Sequence, residues 1–567
     1  MRNWPLRLWR SLSGTGLLLG TLFFAASLTP TLIPRTYLTQ GVLGGCVFAI
    51  GYGLGVFWRW LWRYMELPTF SERSLRIVNL VIACLCAVTA AAFLWRAAEW
   101  QNSIRVLMGL EPVPSAHPFM VCVVAAATFV ILLGLARLFT LIFRFIVGHA
   151  DRFVPQRVAN VIGAAIALLL FWSLATEVFF AVALHALDSS FQQYDALIEP
   201  TAPQPRSALK AGSPASLLRW EQLGRAGREF IASGPSVRDI SAVSGREAME
   251  PIRVYVGLRS AETPAQRAGL ALEELKRAGA FERSTLVIVT PTGTGWVDPG
   301  AMDSVEHLHD GDVASVAMQY SYLSSPLALL VQPGYGAESA RALFWEVYDH
   351  WRSLPKDRRP TLYLHGLSLG AMNSQRSTEL FEIFGDPIHG ALWSGPPFES
   401  TIWRRVTEGR NAGSPAWLPQ FRDGSLVRFM NQNGASVQPG SAWGPLRIVY
   451  LQYASDAITF FDPRDLYRMP DWMAFPRGPD VSSELRWYPV VTMLQLALDM
   501  LMANQTPIGY GHVFAPAHYV DAWLSLTDAK GWSPDQIARL KEHLTESSAA
   551  SVTAPEDDEA PYANRGG

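Results

Sequence analysis

Five long apolar runs in the first third of the chain constrain its fold more than any other feature. They lie at about residues 14–33, 39–58, 77–95, 118–136 and 158–184. Each is long enough to cross a bilayer as a helix, the form in which a spanning segment pairs its own backbone groups. A soluble core can bury one or two such helices, but five in succession is the pattern of a membrane domain. All four cysteines (Cys46, Cys84, Cys86, Cys122) fall in this part, so residues 188–567 hold no disulfide, thiol nucleophile or cysteine metal ligand. Over the whole chain 47 basic and 49 acidic residues nearly cancel, and nothing in the charge balance points to nucleic acid.

The arginines orient the runs. Arg2, Arg7 and Arg10 precede the first; Arg59, Arg63, Arg73 and Arg76 separate the second from the third; Arg137, Arg144, Arg152 and Arg157 separate the fourth from the fifth. The opposite connections carry only Arg35, then Arg96 and Arg105 together with Glu99 and Glu111. Positive charge stays on the cytoplasmic side, so the N-terminus is expected there, and five crossings deliver everything after residue 187 to the outer, periplasmic or extracellular side. The first run also has the build of a signal peptide; its cleavage would leave that topology unchanged. Trp58, Trp60, Trp62, Trp95 and Trp100 sit at run ends, as interfacial anchors do. Glu177, the one acid inside the fifth run, falls late enough to reach the interface.

After a linker at 188–250, helix-compatible at 216–231 and expected to be irregular at 233–250, the pattern changes. Strand-like stretches at 252–257, 286–290, 313–320, 390–394 and 447–453 alternate with helix-like ones at 263–279, 337–354 and 371–384. Such alternation predicts a mainly parallel sheet with helices on both faces, and ligands beyond the carboxyl ends of its strands. This domain is expected over 251–543. Within it, residues 396–445 are rich in Trp, Pro, Gly and Arg (Trp403, Arg404, Arg405, Trp417, Phe421, Phe429, Trp443) and read as a lid shaping an acyl pocket. The Ser-, Ala- and acid-rich tail at 544–567 is expected to be disordered.

Thr361-Leu-Tyr-Leu-His-Gly-Leu-Ser-Leu-Gly-Ala-Met372 carries the chemistry. An apolar strand turns through Gly366-Leu-Ser368-Leu-Gly370 into a helix. That G-x-S-x-G turn lifts the Ser368 hydroxyl above the sheet at a helix N-terminus, where negative charge is favoured. A serine nucleophile needs a base to take its proton and a carboxylate to hold the base. Asp456 follows directly on the 447–453 strand, and His512 lies on a Gly-flanked loop, Gly509-Tyr-Gly-His512. The order serine, acid, histidine suits the turn. Asp462, Asp465, Asp471 and Asp499 compete for the acid and His518 for the base, but none has that placement. The oxyanion hole calls for the N–H of Leu369 and one from the loop Pro291-Thr-Gly-Thr-Gly295. Pro291 cannot donate, which leaves Thr292 or Gly293.

One rival motif, Glu306-His307-Leu-His309-Asp310-Gly-Asp312, has zinc-like ligands but no clear completing histidine. No metal site and no cofactor is expected.

Taken together, Arg253-Val-Tyr-Val-Gly-Leu258, Thr292-Gly-Thr-Gly-Trp296, Gln319-Tyr-Ser-Tyr322, Gly366-Leu-Ser-Leu-Gly-Ala371, Trp393-Ser-Gly-Pro-Pro-Phe398, Gln452-Tyr-Ala-Ser-Asp456 and Gly509-Tyr-Gly-His512 resemble the α/β-hydrolase superfamily. More narrowly, the chain looks like the bacterial membrane-linked α/β-hydrolase family, in which a multi-span N-terminal domain precedes the hydrolase domain. The resemblance covers about residues 14–540. It implies serine-hydrolase chemistry with Ser368 as nucleophile, Asp456 as acid and His512 as base, and it supplies no substrate.

The expectation is therefore an α-helical transmembrane domain followed by an α/β-hydrolase domain. It would be a membrane-anchored serine esterase or lipase in the cell's inner membrane, acting on acyl esters or lipid-like substrates at the outer face. The partners are the bilayer and that substrate; the sequence sets no oligomeric state. An acyltransferase using the same acyl-enzyme with a lipid or sugar acceptor, and a non-catalytic receptor or scaffold, are the alternatives.

Overall fold

The structure is a computed structural model. It describes residues 12–68, 71–150, 202–323, 334–378, 385–437 and 440–553, with a few single positions between them. Most of the fifth apolar run falls outside the described residues, and so do residues 554–567. Two units emerge. One gathers Met1–Ser190, Pro415–Trp417 and Tyr453–Val513; the other gathers Phe191–Ser414, Leu418–Gln452 and Phe514–Gly567. Residues 453–513 group with the N-terminal helices in this division, although they lie within the expected 251–543 stretch.

In the first unit the helices are α1 (Gly14–Ser27), α2 (Tyr37–Tyr64), α3 (Glu72–Arg105) and α4 (Pro118–Ala150). Within α2, α3 and α4, Tyr37–Tyr64, Ile77–Arg105 and Pro118–His149 are long and apolar enough to cross a membrane. The 14-residue α1 is shorter than the run that predicted it. Lipid gives apolar helices no hydrophobic reason to associate, so they pack through small residues that let backbones approach. A Cβ on Gly51 would lie 2.7 Å from the Leu19 carbonyl oxygen of α1, and one on Gly55 would lie 2.5 Å from that of Thr15. On another face of α2, a Cβ on Gly45 would meet the Ala125 carbonyl of α4 at 2.6 Å. Leu80, Val88, Ile131, Leu141 and Phe145 stay exposed on α3 and α4, as lipid-facing side chains do.

One end of this bundle is built differently from the other. The α1–α2 connection, residues 28–36, is almost wholly buried there, and the Arg35 N–H donates to Gln101 Oε1 of α3 at 2.7 Å. A further helix of this unit, α5 (Val491–Leu501), packs on the same end. Val491 joins Ala26, Leu43 and Val47 in an apolar cluster. Trp100 Nε1 and Arg96 donate to Glu484 at 2.9 and 3.4 Å, and the Ser103 and Ser482 hydroxyls meet at 2.8 Å. The α2–α3 connection, flanked by Arg59, Arg63 and Arg73, lies at the opposite end.

Among the described residues the second unit holds eight strands: β1 (Ile252–Val256), β2 (Thr285–Thr290), β3 (Val313–Met318), β4 (Thr361–Leu367), β5 (Gly390–Ser394), β6 (Val427–Asn431), β7 (Gly434–Ala435) and β8 (Arg447–Leu451). Their order is β1-β3-β2-β4-β5-β8-β6-β7, parallel throughout except for the β6–β7 hairpin. Parallel sheets are covered on both faces, so their strands read as continuous apolar runs. The strand β2, Thr-Leu-Val-Ile-Val-Thr, is buried at every position. Crossover helices such as Pro264–Arg277, opened by a Thr263/Gln266 capping box with Pro at its first turn, supply the cover.

Three expectations are corrected here. Residues 396–445 are not simply a lid: Val427–Asn431 joins the sheet beside β8, and Trp403 and Phe429 are buried packing residues. Part of the supposedly irregular 233–250 stretch is the helix Val237–Ser244, with a Ser236/Asp239 capping box. The helix Pro534–Thr553 runs into the stretch expected to be a disordered tail.

Candidate active site

Ser368 stands between β4 and the helix Leu369–Ser377, with φ 56° and ψ −125°. An L-residue held at positive φ is strained, and the surroundings must hold it there. They do: its N–H donates to the Ser394 carbonyl of β5 at 3.0 Å, and its carbonyl accepts from Met372 at 3.2 Å. The flanking glycines are required by space. A Cβ on Gly366 would lie 2.5 Å from the Gly370 carbonyl carbon, and one on Gly370 would lie 2.1 Å from the Thr290 carbonyl oxygen. The elbow is thus pressed against the end of β2, its neighbour in the sheet.

The loop after β2 is that of the expected oxyanion donors. Gly295 sits at φ +89°, its carbonyl accepts from the buried Tyr255 hydroxyl of β1 at 2.7 Å, and its N–H donates to Thr292 at 3.0 Å. The Thr292 N–H donates to the Trp296 carbonyl at 2.9 Å and closes the turn. The Thr292 N–H is thus engaged within its own loop, while Leu369 is the first residue of the helix that follows Ser368.

Asp456 and His512 meet. His512 Nδ1 lies 2.7 Å from Asp456 Oδ2, and both side chains are buried. The rest of the carboxylate is fully engaged. Oδ2 accepts from the Thr459 hydroxyl at 3.0 Å; Oδ1 accepts from the N–H groups of Ile458 and Thr459 at 2.9 and 3.4 Å. These bonds fix the carboxylate rotamer and leave the imidazole as its remaining partner, which sets Nδ1 as the protonated nitrogen. The histidine loop turns on glycine: Gly511 is at φ +58°, where a Cβ would lie 2.6 Å from Thr506 Oγ1. Its N–H donates to Ser455 Oγ at 2.9 Å, and Ser455 donates in turn to Asp480. Thr459 and the Asp480–Ser455 pair were not singled out from sequence. The Asp-x-x-Thr spacing of a helix start was the available signal for the first, and nothing local marks the second.

The competing residues have other partners. Asp462 caps a short turn and pairs with Arg464 at 2.6 Å; Asp471 lies near Arg468; Asp499 is bound to Arg35. Asp465 is buried, which pushes its carboxyl up to about 7. Burial lowers His518. His365, in β4, is a core histidine whose Nδ1 meets the Leu392 carbonyl at 3.0 Å; burial pushes it down to about 4. The zinc-like cluster is dispersed as well. Glu306 holds the buried Arg253 at 2.7 Å, His307 Nδ1 faces the Asp303 carbonyl and His309 Nε2 faces Thr527. Among the described residues no three His, Cys, Asp or Glu side chains converge on a metal position.

Ser368 and the loop after β2 belong to the sheet unit, and Asp456 and His512 to the helical unit.

Comparison with known families places residues 252–540 in a profile described as the alpha/beta-hydrolase family, and residues 28–235 in one described as the N-terminus of that family. No match was found among curated proteins. A solved structure described as that of LipS and LipT, two metagenome-derived lipolytic enzymes, is similar at 14% identity over 48% of this chain and 95% of that one. Its TM-score of 0.14 is too low to carry any argument.

Proposed function

Because this chain belongs to the alpha/beta-hydrolase family, we propose that it is a membrane-anchored serine hydrolase, an esterase or lipase that cleaves acyl esters through an acyl-enzyme. Ser368 attacks the ester carbonyl, and His512 takes the hydroxyl proton and returns it to the leaving alcohol. Asp456 holds the imidazole in the tautomer that can accept that proton and stabilises the imidazolium that forms. The N–H groups of Leu369 and Gly293 receive the oxyanion. Water then repeats the sequence on the acyl-enzyme and frees the acid.

The observation that carries this reading is the 2.7 Å bond between His512 and Asp456 on a carboxylate whose other bonds are all accounted for. The strained Ser368 backbone supports it. The anchor is the apolar bundle, placed by this reading in the cell's inner membrane. The dyad's segment packs on the bundle end away from Arg59, Arg63 and Arg73, which favours chemistry at the outer face. The test is labelling of the full-length protein with a serine-directed fluorophosphonate, beside turnover of an acyl ester. Wild type should label at Ser368 and turn over, while Ser368→Ala should do neither yet remain folded. Full turnover by Ser368→Ala would refute the reading.

A further inference from the structure

Outside the site itself, a densely bonded polar cluster lies where α5 meets the bundle. Arg35, on the connection between α1 and α2, directs Nε and Nη2 to Asp499 Oδ1 of α5 at 3.2 and 3.0 Å. Both side chains are 0% exposed. Asp499 Oδ2 accepts the Leu32 N–H at 3.0 Å. The other Arg35 donors reach the Ser27 carbonyl, Gln40 and Thr31. One turn earlier on α5, Gln495 donates to the carbonyls of Ser27 and Thr29 at 3.2 and 3.3 Å. A connection buried this completely needs partners for its backbone polar groups, and α5 supplies them.

The same helix leads to the histidine. It ends at Leu501, a short turn follows at Ala503–Gln505, and the His512 N–H donates to the Ala503 carbonyl at 3.2 Å. From Arg35 to the imidazole there is thus one ion pair, one helix end and one backbone hydrogen bond.

We propose that the Arg35–Asp499 pair positions the catalytic histidine. The bundle connection fixes the rotation and height of α5, and α5 fixes the backbone of His512 so that its ring stays on Asp456. The proposal rests on the reading of His512 as the general base. Arg35 touches no reacting atom; it is a positioning residue. A buried ion pair adds little net stability, because desolvation offsets its attraction, but it is directional. The neighbouring apolar contacts of Val491 with Ala26, Leu43 and Val47 hold α5 against the bundle without defining its register. Displacing a catalytic group by about 1 Å costs about 10²-fold in rate. On this account the α1–α2 connection, through Arg35, serves the histidine as well as the bundle.

The experiment uses the full-length protein in lipid nanodiscs. Wild type, Arg35→Met, Arg35→Lys, Arg35→Met/Asp499→Leu, Leu43→Ala and Ser368→Ala are compared for kcat, KM and melting temperature on one acyl ester. Arg35→Met should lower kcat about 10- to 100-fold with KM changed less than about twofold, and Arg35→Lys should recover part of the loss. The double variant removes both charges and so avoids a buried unpaired carboxylate; it should fold and keep the low kcat. Leu43→Ala, which loosens the same junction outside the polar cluster, should lower the melting temperature and leave kcat near wild type. A wild-type kcat in the folded double variant overturns the proposal, even if Arg35→Met alone fails to fold. An equal loss of kcat in Leu43→Ala overturns it too. Turnover by Ser368→Ala would instead remove the serine-hydrolase reading on which it rests.

Discussion

Replacing Asp456 by Asn tests the heart of the proposed chemistry with the smallest change in shape. Asparagine can keep its carbonyl oxygen at the Oδ1 position, where the Ile458 and Thr459 N–H groups donate. Its amide then stands where Oδ2 was, 2.7 Å from His512 Nδ1. Two donors cannot face each other there, so the imidazole must move its proton to Nε2 and present Nδ1 as acceptor. With Nε2 protonated, the histidine can no longer accept the Ser368 proton. The stabilisation of imidazolium by the carboxylate is lost as well. Loss of both should lower kcat by about 10⁴-fold, equivalent to about 5.4 kcal/mol of transition-state stabilisation. The fold should hold, because the two backbone N–H bonds to the oxygen are kept and the Thr459 hydroxyl can turn to accept from the amide. The assay is turnover of one acyl ester by the purified full-length variant, beside its melting temperature and beside Asp462→Asn, whose carboxylate pairs with Arg464 and should be dispensable. A folded Asp456→Asn within about tenfold of wild type would refute the tautomer argument. An inactive Asp462→Asn beside an active Asp456→Asn would move the acid to Asp462.

Ser368→Gly should raise stability by about 1 kcal/mol while abolishing turnover, because glycine accepts φ 56° at no steric cost; a melting temperature below wild type would refute the strain at this position. His365→Gln should flatten the acid side of the stability profile. The buried imidazole titrates near 4 in the folded state against 6.5 unfolded, so the unfolded chain binds more protons in between, and stability falls as pH drops through that window at up to about 1.4 kcal/mol per pH unit. Denaturant midpoints of both proteins between pH 4 and 7 check this, and an identical slope in the variant refutes it. A reporter fused after residue 190 should be active only when it works in an outer compartment; a cytoplasmic signal from the intact N-terminus would reverse the proposed topology.

The sheet was readable because a parallel strand advertises itself: 252–256, 285–290, 313–318, 390–394 and 447–451 are short β-branched or aromatic runs within a residue or two of where the sequence put them. The turn at Ser368 and the Asp456–His512 contact rest on features visible locally in the sequence, a glycine-bracketed turn, a strand end and a glycine loop. What failed was long-range. Val427–Asn431 has a strand's composition, but it lies within a Trp-, Pro- and Gly-rich stretch, and its place beside β8 is a tertiary fact. The Ser236/Asp239 box marks a helix start, but the eight residues after it are weakly apolar. No local pattern tells that Asp499 belongs with Arg35, since an acid on an amphipathic helix ordinarily faces water.

That pairing has a consequence for synthesis. Arg35 and Asp499 are separated by 464 positions in the chain. At a translation rate of about 5–20 residues per second, the bundle's first connection waits roughly 25–90 s for its partner to be made. Throughout that time the Arg35 guanidinium has Ser27, Thr31 and Gln40 beside it but no carboxylate, and the Leu32 N–H lacks its acceptor. The N-terminal helices are therefore made long before they are completed, and any nascent chain stopped short of α5 carries an unfinished end on its helical bundle.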